Sequence, residues 1–171
     1  MNPLGITQAV CLGLLGGIVS NFAIKQHTSF LEGHEDLKYA IVEAGAKVEL
    51  VKISQCDQHK PGFKWKDKAV ITLCDYGLTA NDKFLKHQAI HVLQWCSSGR
   101  TGDLKYYTHR NEGMVYEMAG RLGLAKELAV AMDYQHKGHS SSIDMGLHAE
   151  AHLLSNVFTS ATLAKAIQFR C

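Results

Sequence analysis

Two histidines four residues apart, His87 and His91, stand in the segment Leu85-Lys86-His87-Gln88-Ala89-Ile90-His91-Val92-Leu93-Gln94-Trp95-Cys96. On a helix this spacing puts both imidazoles on one face with Cβ atoms about 5–6 Å apart, close enough to share one metal ion. Phe84, Ile90 and Gln94 flank the pair, so the face is expected to point inward. An open catalytic zinc site needs a third protein ligand, with water in the fourth position. Glu112, which follows His91 by 21 residues, Glu117 and Glu150 are the acidic candidates. Helical spacing surrounds Glu150 with Ile143, Leu147, Leu153, Leu154 and Val157, an apolar stripe in which an unpaired carboxylate is costly and a metal would satisfy it. Glu112 and Glu117 have polar neighbours and are more easily solvated. Glu150 is therefore the preferred third ligand, with a carboxylate hydrogen-bonded to a core Tyr or His as the metal-free alternative. A second i,i+4 pair, His148 and His152, shares a face with Ser141, Asp144, Ser155 and Asn156. That face is polar and reads as a surface pair.

The five residues from His87 to His91 match the signature H-E-x-x-H at every position but one. Where the motif has a glutamate that takes a proton from the metal's water, this chain has Gln88, similar in shape but unable to accept the proton. A metal site would survive the exchange, and hydrolysis would drop by about two to four orders of magnitude. Three explanations stand side by side: a substitution that traps an inactive form, a natural pseudoenzyme, and a helix whose histidines hold no metal.

The elements that would position these groups follow from local patterning. Leu37, Ile41 and Val42 mark a short helix stopped near Gly45, and Lys47 to Ile53 alternates charged and apolar residues as a strand with one wet face. Gln55 to Lys68, with Pro61-Gly62, reads as a loop or hairpin connection, and Ala69 to Cys74 as a buried strand. Thr79 and Asp82 suggest a capping box opening a helix from about Ala80 to Cys96, ended by Ser97-Ser98-Gly99. Further helices are expected around Glu112 to Gly120, Ala125 to Tyr134 and Ile143 to Phe169, the last broken near Thr159.

Upstream, Leu4 to Ile24 carries no charge and is about long enough to cross a bilayer. It reads as a signal or anchor, or as a membrane-associated or assembly helix, within residues 1–25; the remaining domain spans 37–171. An extracytoplasmic protein, secreted or membrane-anchored, is the expectation, with association with a virion as a lesser alternative. Eighteen Lys and Arg against sixteen Asp and Glu, a net charge of +2, give no bulk attraction to nucleic acid. Of five cysteines, Cys11 lies in the apolar segment, leaving Cys56, Cys74, Cys96 and Cys171 as an even set with three possible pairings. Because a chain end frays unless tied down, Cys171 is expected to bridge to Cys96, with Cys56 and Cys74 as the other pair.

Taken in order, Ile71-Thr72-Leu73-Cys74, the His87 to Cys96 segment, Glu150-Ala151-His152 and Ala164-Lys165-Ala166 ahead of Cys171 resemble the zincin-like metallopeptidases of cyanobacteria and their phages. The resemblance runs from about Leu37 to Cys171, with Gln88 and His152 as departures. It implies an α+β, mostly helical fold, a zincin-like minimal domain with a short β-sheet packed on an active-site helix. It further implies Zn²⁺ held by His87, His91 and Glu150, and Gln88 in the catalytic-base position. The implied function is a zinc-dependent peptidase acting on a peptide or protein substrate, which could pair with the strand at Lys47 to Ile53 or Ala69 to Cys74. The alternative is a non-enzymatic membrane-associated or phage-particle assembly protein with a vestigial metal site.

Overall fold

The computed structural model describes residues 34–55, 62–65, 69–74, 78–101, 103–138 and 145–171. The apolar segment Leu4 to Ile24 and Cys56 lie outside them. Among the described residues no helix is long and apolar enough to cross a membrane.

The fold is α+β and mostly helical. Helix α1 covers residues 34–43 and buries Leu37, Ala40 and Ile41. Gly45, at φ +91°, ends it in a backbone conformation that costs other residues a Cβ clash. Strand β1 (Lys47–Val51) follows, then a single 3₁₀ turn, Ile53–Gln55. Strands β2 (Gly62–Lys64) and β3 (Val70–Cys74) complete a three-stranded sheet of order β1-β3-β2. β1 pairs in parallel with β3, Val48 opposite Ile71, and β2 runs antiparallel, Phe63 opposite Ile71. The expected strand from Ala69 to Cys74 is thus the central one, with both edges used by its neighbours. It cannot accept an added substrate strand, whereas β1 is an outer strand of the described sheet.

Helix α2 (Leu78–Ser97) packs against this sheet, and it carries both His87 and His91. Leu85, Ala89, Ile90, Val92 and Leu93 are fully buried along it, too wide an apolar arc for a helix resting on a sheet alone. Its other sides are covered by α5 (Met145–Val157) and α6 (Ser160–Arg170). Thr159 separates those two helices, its side chain accepting the Thr162 amide as an N-cap, so the break expected near Thr159 is where the chain turns. Asp82, in the first turns of α2, accepts from Ser160 Oγ at 2.9 Å and lies 3.5 Å from His34, tying three helices together.

A smaller cluster of Val115, Ala119, Leu128, Met132, Ala149 and Leu153 joins α3 (Glu112–Arg121) and α4 (Ala125–Gly138) to the far side of α5. Helix α5 is therefore enclosed, with α2 on one flank and α3 and α4 on the other. Cys96 and Cys171 form a disulfide that fastens the chain end to the end of α2, and the Arg100 guanidinium donates to the Cys171 carbonyl. Cys74 is also disulfide-bonded.

Candidate metal centre

Three imidazoles converge where α2 meets α5. His87 and His91 from α2 and His148 from α5 present ring nitrogens that all lie within 4.8 Å of one another. The ring centroids of His91 and His148 are 4.8 Å apart and nearly perpendicular, and those of His87 and His91 are 4.9 Å apart. The His152 ring stands at the edge of the group, 6.3 Å from His87. The two i,i+4 histidine pairs thus face each other across one helix–helix contact.

Burial keeps His87 and His91 neutral. Burial, with neighbouring His91, His148, His152 and Lys83 adding to it, holds His87 well below the ordinary histidine range. His91 is pushed down to about 3 by burial and by His148, against the upward pull of Gln94 and Glu150. Neutral imidazole is the form that offers a nitrogen lone pair to a metal.

The state of His91 can be worked out from its partners. Gln94 Nε2 donates to the Leu147 carbonyl at 3.0 Å and to Glu150 Oε2 at 2.9 Å. Both are acceptors, so the amide cannot be turned over without setting oxygen against oxygen. Gln94 Oε1 therefore faces His91 Nδ1, 2.7 Å away, and the ring nitrogen must donate. That leaves His91 Nε2 bare of hydrogen, buried and without a hydrogen-bond partner among the described residues. An orphaned buried acceptor is costly, and a metal ion at the three-imidazole junction would satisfy it.

Glu150 is fully buried, as its apolar stripe predicts, but the structure sets it apart from the three histidines as a hydrogen-bond hub. Its Oε2 accepts from Tyr107 N at 2.8 Å as well as from Gln94. Its Oε1 accepts from Thr108 N at 2.9 Å, Thr108 Oγ1 at 3.1 Å and His109 N at 3.0 Å, and lies 2.9 Å from His109 Nδ1. A carboxylate offers about four lone-pair sites, so this set of donors leaves none for a metal. Burial alone would raise the carboxyl pKa; the donors Gln94, Tyr107, Thr108 and His109 outweigh it and hold the group below its ordinary value. The group of side chains that could hold a metal ion contains His148 where Glu150 was expected. Glu112 is exposed at the start of α3, and exposed Glu117 pairs with Arg121, so neither replaces it.

His148 is the residue that sequence reasoning missed. The face it shares with Ser141, Asp144, Ser155 and Asn156 reads as solvated, and Asn156 is exposed, yet Ser155 is 2% exposed and His148 half-buried, since α5 is covered on both flanks. The usable signal was the second i,i+4 histidine pair itself, repeating the spacing of the first. Gln88 is buried on α2 one residue beyond His87. No protein-family model, no curated protein and no solved structure matches this chain.

Proposed function

We propose that the chain is a zinc-binding protein of the metallopeptidase type, with His87, His91 and His148 as ligands and Gln88 in the position of the catalytic base. The observation that carries the reading is the convergence of three imidazoles, one of them holding a buried nitrogen with no other partner among the described residues. Three histidines with a position left open are a donor set used by catalytic zinc, and imidazole suits zinc better than the hard ions magnesium and calcium. Zinc bound there supplies Lewis-acid polarisation of a carbonyl and a water of lowered pKa. The protein's own contribution is to aim the imidazoles across the packing of α2 on α5 and to hold those of His87 and His91 neutral. Gln88 can donate and accept hydrogen bonds but cannot carry away a proton, so activity is expected to be weak. The outer strand β1 offers an edge to which an extended peptide could add.

A second reading, a metal-holding protein without catalysis, is favoured by Gln88 alone. It shares the metal centre and differs in the reaction. Zinc titration of the purified, metal-stripped chain tests what the two readings share: near one equivalent should bind, and His148→Ala should weaken binding at least as much as His87→Ala. A chain that takes up no zinc, or a His148→Ala variant that binds it as tightly as the parent, would remove the proposal. Peptide hydrolysis by the loaded protein then separates the two readings.

A further inference from the structure

We infer that Gln94 and Glu150 form a positioning unit for the metal centre, one that locks His91 in a single tautomer and fastens it to the segment 107–109. This rests on the metal-binding reading above and assigns a function to the two buried polar groups that reading leaves over.

The chain of contacts has a fixed direction. Backbone N–H groups of Tyr107, Thr108 and His109 converge on the Glu150 carboxylate. The carboxylate takes one hydrogen of the Gln94 amide, the Leu147 carbonyl takes the other, and the amide oxygen is left to face His91 Nδ1. Every member between the segment and the imidazole is buried, and Gln94 and Glu150 are each 0% exposed, so water cannot substitute for a missing partner. Lys105 N donates to the Gln94 carbonyl at 3.2 Å, a second tie between the same segment and the same residue. Groups of this kind orient a metal-ligating histidine and raise its basicity, and losing one typically weakens metal binding 10–100-fold. Glu150 therefore serves the metal from two residues further out than the ligand His91, and Gln94 transmits its orientation.

The test separates this inference from the metal reading by beginning without metal. Long-range ¹H–¹⁵N NMR on the metal-stripped chain, with the imidazole nitrogens labelled, reads the tautomer of His91 directly. The parent should show Nδ1 protonated and Nε2 bare. Gln94→Leu, which keeps the helix and removes the acceptor, should give a mixture of tautomers or the reversed one. Zinc titration follows on the same proteins, with Gln94→Leu expected to bind 10–100-fold more weakly. Cobalt substitution supplies a further readout, since the visible spectrum of bound Co²⁺ should change in Gln94→Leu. Should Gln94→Leu unfold, the tautomer of the parent alone still decides. An Nε2-protonated His91 in the parent overturns the inference even if zinc binds tightly, as does unchanged zinc affinity in a folded Gln94→Leu. A parent with Nδ1-protonated His91 that binds no zinc overturns the metal reading, and with it the positioning role, while leaving the tautomer assignment supported.

Discussion

Replacing Glu150 by glutamine keeps the shape of the side chain and removes its charge, so the outcome reports what the carboxylate does. Whichever way the new amide lies, its NH₂ group must face donors. On the Oε2 side it meets Tyr107 N and Gln94 Nε2; on the Oε1 side it meets Thr108 N, Thr108 Oγ1 and His109 N. The cheaper orientation still loses two hydrogen bonds to a charged acceptor, each worth about 1.5–3 kcal/mol. Water can reach part of the 107–109 backbone and recover some of this, so a net loss of about 3 kcal/mol is expected. For a chain of this length, 1 kcal/mol corresponds to about 2–4 °C, giving a fall in Tm of about 6–12 °C. Thermal unfolding of the metal-free protein followed by circular dichroism measures it. Hydrogen exchange should show the amides of Tyr107, Thr108 and His109 losing protection. The sign of the change is decisive. A carboxylate held in readiness for a metal would be an uncompensated buried charge, and neutralising it would stabilise the metal-free chain. A Glu150→Gln variant as stable as the parent, or more so, would refute the hydrogen-bond hub.

Three other outcomes are expected. A β-carbon built on Gly146 would overlap the Tyr106 hydroxyl and come within 2.8 Å of Glu112 Cβ. Gly146→Ala should therefore lose about 1–3 kcal/mol to overpacking, more than the roughly 1 kcal/mol gained in helix propensity, and a Tm at or above the parent's would contradict the packing. The metal-free chain should lose stability as pH falls below about 6.5, because His87 and His91 stay neutral when folded and take protons when unfolded. The stability these groups help maintain is complete above that pH and declines by about 1.4 kcal/mol per pH unit for each histidine, for His91 down to about 3. Urea midpoints at pH 7.5 and 5.5 should differ accordingly, and equal midpoints would count against neutral buried imidazoles. Gln88→Glu should raise kcat for peptide hydrolysis by about 100–10,000-fold in the zinc-loaded protein, and a variant that binds zinc yet cuts nothing across a broad peptide library would end the peptidase reading.

The sequence carried the elements well wherever periodicity and punctuation agreed. Gly45, the Val70–Cys74 strand, the long helix under the histidines and the break near Thr159 all lie where local chemistry put them, and Cys96 and Cys171 form the bridge expected of them. Gln55 to Lys68 was harder, because β2 is a three-residue edge strand with too few alternations to register as a pattern. The His87–His91 pair was legible because both members lie on one helix. The remainder of the site was not, since it depends on which flank of α5 meets α2, a fact of packing that helical spacing does not contain. A polar face can be solvated or can serve a site, and spacing alone treats the two alike. The same ambiguity made Glu150 resemble a ligand: its burial was readable, but its donors come from Gln94 and from the backbone of 107–109, segments that no local pattern connects to it.

X-ray absorption at the zinc edge, on the protein loaded with one equivalent of Zn²⁺, tests the central claim most directly. Multiple scattering from imidazole rings counts histidine ligands. The account predicts three imidazoles with nitrogen at about 2.0–2.1 Å, completed by a single lighter oxygen donor. The loss of one imidazole in His148→Ala, with the count unchanged in Glu150→Gln, would complete the assignment. Two imidazoles and a carboxylate in the parent, with the carboxylate signal lost in Glu150→Gln, would contradict it.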